Sequence, residues 1–168
     1  SGFGGTETSR SERNPSANLT ILSGNLGANG NSYHIVIPAE DSVLDGFTIR
    51  DSNASGNVGF NEPPYPFGAL WAEKVSFSII NCTFSENYAK YDWDSYEMEG
   101  NGSAVFLRDA NATFESCTFS GNIARAGGAV FATGNSNLSF SNSRFLGNKA
   151  IGENDRGNGS AVFLNDAN

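Results

Sequence analysis

The densest group of chemistry-bearing side chains lies between residues 88 and 101, Tyr-Ala-Lys-Tyr-Asp-Trp-Asp-Ser-Tyr-Glu-Met-Glu-Gly-Asn. Asp92, Asp94, Glu97 and Glu99 stand close together there. Carboxylates at this spacing, helped by backbone carbonyls, form the donor set of a hard divalent cation, so these four are the candidate Ca²⁺ ligands. No other cofactor is expected. Tyr91, Trp93 and Tyr96 alternate with them, and Tyr65 stands in the similar stretch 53–67. These four aromatics are the candidate ligand-binding residues, able to stack on sugar rings or form a protein-binding patch. The plainer expectation is structural: the aromatics fold down over an apolar outer face and the acids stay in water.

Catalytic constellations are sparse. His34 is the single histidine, and no acid or nucleophile is placed with it. No GxSxG, HExxH or phosphate-binding loop occurs. Glu73 and Arg108 fall at equivalent positions of a repeat and read as a surface ion pair. No catalytic residue is assigned, and the balance is against an enzyme. Cys82 and Cys117 have no ligand partners at zinc spacing. Seven N-x-[ST] sequons, at Asn18, Asn53, Asn81, Asn101, Asn111, Asn137 and Asn158, read as the by-product of an Asn- and Ser-rich composition.

The positioning elements come from repetition. Phe84-Ser85-Glu86-Asn87, Phe119-Ser120-Gly121-Asn122 and Phe145-Leu146-Gly147-Asn148 are copies of one motif. Gly102-Ser103-Ala104-Val105-Phe106, Gly127-Gly128-Ala129-Val130-Phe131 and Gly159-Ser160-Ala161-Val162-Phe163 are copies of another. An offset of 35 residues puts Leu44 on Ile79 and Phe114, Ile49 on Phe84 and Phe119, and Cys82 on Cys117. The following unit is shorter, and Phe119 meets Phe145 after a one-residue slip. Each unit carries three short apolar pieces of period two, which read as strands. Units of this size cannot bury their apolar faces alone and must stack. The predicted fold is all-β: a right-handed parallel β-helix with three short strands per coil and long loops at one corner, a single domain over 1–168.

Alternation assigns the interior. On the third strand Phe84, Phe119 and Phe145 point inward with Cys82 and Cys117, and Asn87, Asn122 and Asn148 follow at a bend. These eight form the expected structural ladder. Asn there tolerates a left-handed backbone and bonds neighbouring main chain. Stacked strands place the two cysteines within disulfide range, but parallel side-by-side Cβ vectors are a poor bridging geometry, which favours two buried thiols. On the first strand Ile35/Ile37, Leu70/Ala72, Val105/Leu107 and Val130/Ala132 are expected inside. Trp71, Phe106, Phe131 and Phe163 then form an outer aromatic ladder under loop cover.

A formal charge of −8 argues against nucleic acid, and no run reaches the roughly 20 apolar residues of a membrane helix. The paired G-[GS]-A-[VIL] and F-x-x-N motifs over residues 67–168 resemble the chlamydial-type polymorphic outer-membrane protein repeats. The opening from Gly2-Phe3-Gly4-Gly5 through Asn18-Leu19-Thr20-Ile21-Leu22 resembles bacterial secreted right-handed β-helix repeat proteins. The resemblance implies a bacterial, secreted or surface-exposed location and an adhesin-like or structural role. The wider fold also includes pectate-lyase-like enzymes, so a carbohydrate-active or carbohydrate-binding β-helix is the alternative. The chain breaks off in mid-unit at Asn168. That leads to the expectation of a fragment of a longer repeat protein, with further coils of the same polypeptide or other copies of itself stacked end to end as partners, and surface glycans or proteins as further candidates.

Overall fold

The computed structural model describes residues 2, 4–15, 17–54, 68–89, 101–152 and 159–168. The strands in chain order are β1 (Thr20–Ser23), β2 (Ser42–Asp45), β3 (Phe47–Arg50), β4 (Leu70–Glu73), β5 (Ser76–Ile80), β6 (Thr83–Ser85), β7 (Tyr88–Ala89) and β8 (Val105–Arg108). They continue as β9 (Asn111–Glu115), β10 (Thr118–Ser120), β11 (Ile123–Ala124), β12 (Val130–Thr133), β13 (Asn137–Ser141), β14 (Arg144–Leu146), β15 (Lys149–Ala150) and β16 (Val162–Asn165). They stack into four sheets, ordered β1-β3-β6-β10-β14, β15-β11-β7, β16-β12-β8-β4 and β13-β9-β5-β2. Every pairing is parallel. The three expected strands per coil are present, and a two-residue fourth follows each ladder Asn.

The corners explain how so polar a sequence winds so regularly. Three corners of each coil turn on one left-handed residue. Lys74, Asp109 and Gly134 (φ 55°, 51° and 66°) turn the first strand into the second. Asn81, Ser116 and Asn142 (φ 52°, 54° and 51°) turn the second into the third. Glu86, Gly121 and Gly147 (φ 54°, 63° and 60°) lead into the ladder. Single kinks stacked coil on coil leave the strands between them straight and in register. The left-handed residue is the one before each ladder Asn, so the expectation that Asn adopts that conformation is corrected: its role is hydrogen bonding.

The G-[GS]-A motif has its own steric reason. Gly102, Gly127 and Gly159 sit at φ 62°, 58° and 61°, where an added Cβ would lie 2.3, 2.3 and 2.2 Å from the carbonyl oxygens of Val105, Val130 and Val162. Only glycine fits so tight an entry to the strand. Gly127→Ala should therefore destabilise the protein by about 2 kcal/mol or more, read as a lowered midpoint in urea unfolding.

Cross-strand register bears out the alignment of the repeats. Leu44 pairs with Ile79, and Ile79 with Phe114. Ile49 pairs with Phe84, Phe84 with Phe119, and Phe119 with Phe145. The one-residue slip sits between β12 and β13, where Gly134-Asn135-Ser136 replaces Asp109-Ala110. The extra turn is stitched down: Asn135 N–H donates to Asp109 Oδ1 (3.0 Å), and Ser136 Oγ accepts from Ala110 N–H (3.1 Å) while donating to Thr133 O (2.7 Å).

The first coil departs from expectation. Val36, not Ile35, bridges to Leu70, and Ile37 is 62% exposed rather than inward. Pro38 follows directly and lacks an N–H to continue a ladder, so the first coil has only this isolated bridge where later coils have a strand.

Candidate functional site

The interior is three ladders. In the first, Asn87 Nδ2 donates to Asn122 Oδ1 (3.0 Å) and Asn122 Nδ2 to Asn148 Oδ1 (2.9 Å). The same oxygens accept the backbone N–H of Asn87 (3.2 Å) and Asn122 (3.0 Å). The second proton of each amide goes to a carbonyl of the preceding coil: Ile49 O for Asn87, Phe84 O for Asn122 and Phe119 O for Asn148. Ser52 takes the place of Asn at the first rung; its N–H reaches Asn87 Oδ1 (3.2 Å), and its buried hydroxyl has no partner.

The second ladder is aromatic. Phe84, Phe119 and Phe145 stack with centroids 5.1 and 4.7 Å apart. Phe114 and Phe140 stack beside them at 5.0 Å and meet Phe119 edge-on.

The third ladder holds Cys82, Cys117 and Ser143. Both cysteines are free and buried, which settles the question in favour of thiols. Each thiol has one proton to share between two carbonyls: Ile80 and Leu44 for Cys82 (3.2 and 3.6 Å), Glu115 and Ile79 for Cys117 (3.4 and 3.5 Å). Ser143 Oγ does the same toward Ser141 and Phe114 (3.1 and 3.2 Å). Cys117→Ser should therefore change stability by less than about 1 kcal/mol, measured by denaturant unfolding.

Burial pushes both thiols up, Cys117 to about 12 from a usual 9.0. The folded value lies above the unfolded one, so this contribution to stability is intact below about pH 9 and is lost as pH climbs toward 12. Unfolding midpoints should fall across that window, and the double substitution Cys82→Ser/Cys117→Ser should flatten the fall.

All these groups are spent on the fold, so any recognition belongs to the outer faces. On the β4/β8/β12/β16 face, Phe106 and Phe131 stack at 5.5 Å and are buried outside the coil, with Ala126, Trp71 and Phe163 packed against them. The expected ladder is therefore present and its centre is covered. His34 stacks on Trp71 (5.9 Å) with Nδ1 3.0 Å from Gly68 O, and the Arg108 guanidinium lies over Phe106 (5.8 Å). These contacts give His34 a structural place. Glu73 and Arg108 are register partners, while the Glu73 carboxylate lies 3.6 Å from Lys74 Nζ.

On the β3/β6/β10/β14 face, a groove of about 750 Å³ separates Thr83 and Thr118 from Ser11, Arg13 and Pro15 of the N-terminal segment. Arg13 pairs there with Asp45, which also accepts from Asn81 Nδ2 (3.1 Å). Nothing in the sequence signals that clamp: the partners are 32 residues apart and share no motif.

The β2/β5/β9/β13 face carries an open trough of about 460 Å³. Ser76, Asn111 and Asn137 form one row along it, and Ser78, Thr113 and Ser139 the next. Neighbouring coils are linked by Asn111 Nδ2 to Ser76 Oγ (3.3 Å), Thr113 Oγ1 to Ser78 Oγ (2.9 Å) and Asn137 Nδ2 to Asn111 Oδ1 (2.9 Å). Among the described residues lining the trough, the one charge is Asp41 at its N-terminal end.

The candidate ligand-binding residues Tyr65, Tyr91, Trp93 and Tyr96, and the candidate Ca²⁺ ligands Asp92, Asp94, Glu97 and Glu99, lie outside the described residues. Among the described residues no three His, Cys, Asp or Glu side chains group to hold a metal, and no helix is long and apolar enough to cross a membrane.

Comparison with known proteins agrees with this architecture. No curated protein and no solved structure matches the chain. The profile of the right-handed β-helix region matches residues 67–168, the span that holds both repeated motifs and all three ladders. The chain belongs to the right-handed β-helix family.

Proposed function

We propose that this chain is a non-catalytic structural or adhesive rod segment, secreted or displayed at a cell surface, whose coils continue onto a further coil of the same polypeptide or of a second copy. The observation that carries the reading is that the buried groups of a described coil are spent on the coils beside it: Asn122 is fully buried and bonds both neighbouring coils, and Phe119 stacks between Phe84 and Phe145.

The partner that fits the spacing of the Asn and Phe columns is another coil of the same kind. A surface location is consistent with the net negative charge and with the Asn- and Ser-rich outer faces. Electron microscopy of the native particle tests the reading. Rods in which coils run without interruption support it; discrete bodies no longer than one chain contradict it.

A further inference from the structure

The outer faces are where a macromolecule would meet the coil, but an ion can be held inside it. Cys82 and Cys117 are the two cysteines of the chain, and both are free, inward-facing and 1% exposed. They directly precede the register partners Thr83 and Thr118, so they stack in one column on successive coils. We propose that the two thiols are a binding site for one soft, two-coordinate metal ion that bridges the coils.

Three properties select that ligand. The first is separation. Both thiols take the same orientation: each points to the carbonyl two residues before it, Ile80 or Glu115, and to one carbonyl of the preceding coil, Leu44 or Ile79. Equivalent side chains on stacked strands lie about 4.8 Å apart. The midpoint is then about 2.4 Å from each sulfur, close to a metal–thiolate bond of about 2.3 Å. The parallel side chains that make a poor disulfide are the arrangement a linear sulfur–metal–sulfur unit needs. The second is the donor set. The column continues with Phe47 one coil before and Ser143 one coil on. Among the described residues no third His, Cys, Asp or Glu joins the pair. Zn²⁺ lacks its tetrahedral ligand set there, whereas soft ions are selected by sulfur alone.

The third is charge. Each thiol passes its proton to solvent as its metal–sulfur bond forms. A divalent ion thus leaves a neutral unit in the core, and a monovalent ion leaves one negative charge. The Phe47 N–H faces the Cys82 sulfur and the Cys82 N–H faces the Cys117 sulfur, so both sulfurs keep a donor once their protons are gone. The Ile80 and Glu115 carbonyls, which lose a weak S–H donor, still accept from Gly46 N–H and Asn81 N–H at 2.9 Å each. Cys82 also lines the groove beneath the N-terminal segment, and local opening of the short strands β6 and β10 admits an ion from that side. The site does not rest on the rod reading.

Native mass spectrometry and thermal unfolding of the reduced chain test it, with one equivalent of mercuric chloride, silver nitrate or zinc sulfate. The expected result is one Hg²⁺ per chain, with two protons lost and no chloride retained, and a raised melting midpoint. Ag⁺, the monovalent arm, should bind with the same stoichiometry and a smaller rise, and Zn²⁺ should do neither. Cys82→Ser and Cys117→Ser each leave one sulfur. They should weaken Hg²⁺ binding about a hundredfold or more and abolish the rise in midpoint. The proposal is overturned if neither soft ion binds the folded chain, if binding lowers the midpoint, or if two ions bind per chain. It is overturned equally if Zn²⁺ raises the midpoint as far as Hg²⁺, or if either serine variant binds like the parent. The contrast of Hg²⁺ with Zn²⁺ on the parent decides the matter should a variant fail to fold.

Discussion

Asn122→Ala should cost about 4 kcal/mol or more, enough to unfold a marginally stable domain. Asn122 is fully buried and serves both neighbouring coils. Its removal strands the Asn87 backbone N–H and one proton of the Asn87 amide, and takes the side-chain donor from the Phe84 carbonyl and from the Asn148 side-chain oxygen, which keeps only the backbone N–H of residue 122. A buried polar group left without a partner costs roughly 1–3 kcal/mol, so several together exceed what the freed cavity can recover. Asn148→Ala removes the same chemistry from a half-buried rung at the edge of the described coils, where water can replace the lost partners. The expected order in urea unfolding is therefore Asn122→Ala far below Asn148→Ala, with Asn148→Ala close to the parent. Equal losses at the two rungs would mean that the amides act singly rather than as a ladder.

Phe119→Ala should cost about 3–5 kcal/mol, the range for truncating a fully buried aromatic. Phe119 has no exposed surface and stacks between Phe84 and Phe145 while meeting Phe114 and Phe140 edge-on. A cavity there touches three coils at once, and the parallel strands on either side cannot close over it without leaving register. Phe119→Leu keeps most of the volume and should cost less than half as much. Thermal unfolding of the two variants beside the parent checks the ratio.

Much of this architecture was legible from residue types because its determinants are local and repeated. The alternation of Cys117, Thr118 and Phe119 fixes which side faces inward, and the recurrence of F-x-x-N at constant offsets fixes what stacks on what. Three features were not legible, each for a physical reason. Val36 rather than Ile35 bridges to Leu70, and Pro38 ends the segment before a strand period can show. The two-residue strands after each Asn are too short to show a period. The Arg13–Asp45 clamp joins a non-repeating segment to a repeat, and repetition carries no information about such a contact. The ladder asparagines were found, but the left-handed backbone belongs to Glu86, Gly121 and Gly147. Glycine at two of the three positions was the available clue.

The polar trough was hidden in plain composition. Ser76, Ser78, Asn111, Thr113, Asn137 and Ser139 are ordinary solvent-facing residues until cross-strand register sets them in rows.

Sedimentation velocity of the chain across a concentration series, beside Leu164→Lys, tests most directly whether the coil edge is a stacking surface. Leu164 stands in the inward column of Leu107 and Ala132 yet is 44% exposed, and a lysine there sets a charge against any incoming coil. The rod reading predicts species larger than one chain that grow with concentration for the parent, and a single-chain species for Leu164→Lys with an unchanged circular-dichroism spectrum. A parent that sediments as one chain at every concentration contradicts it.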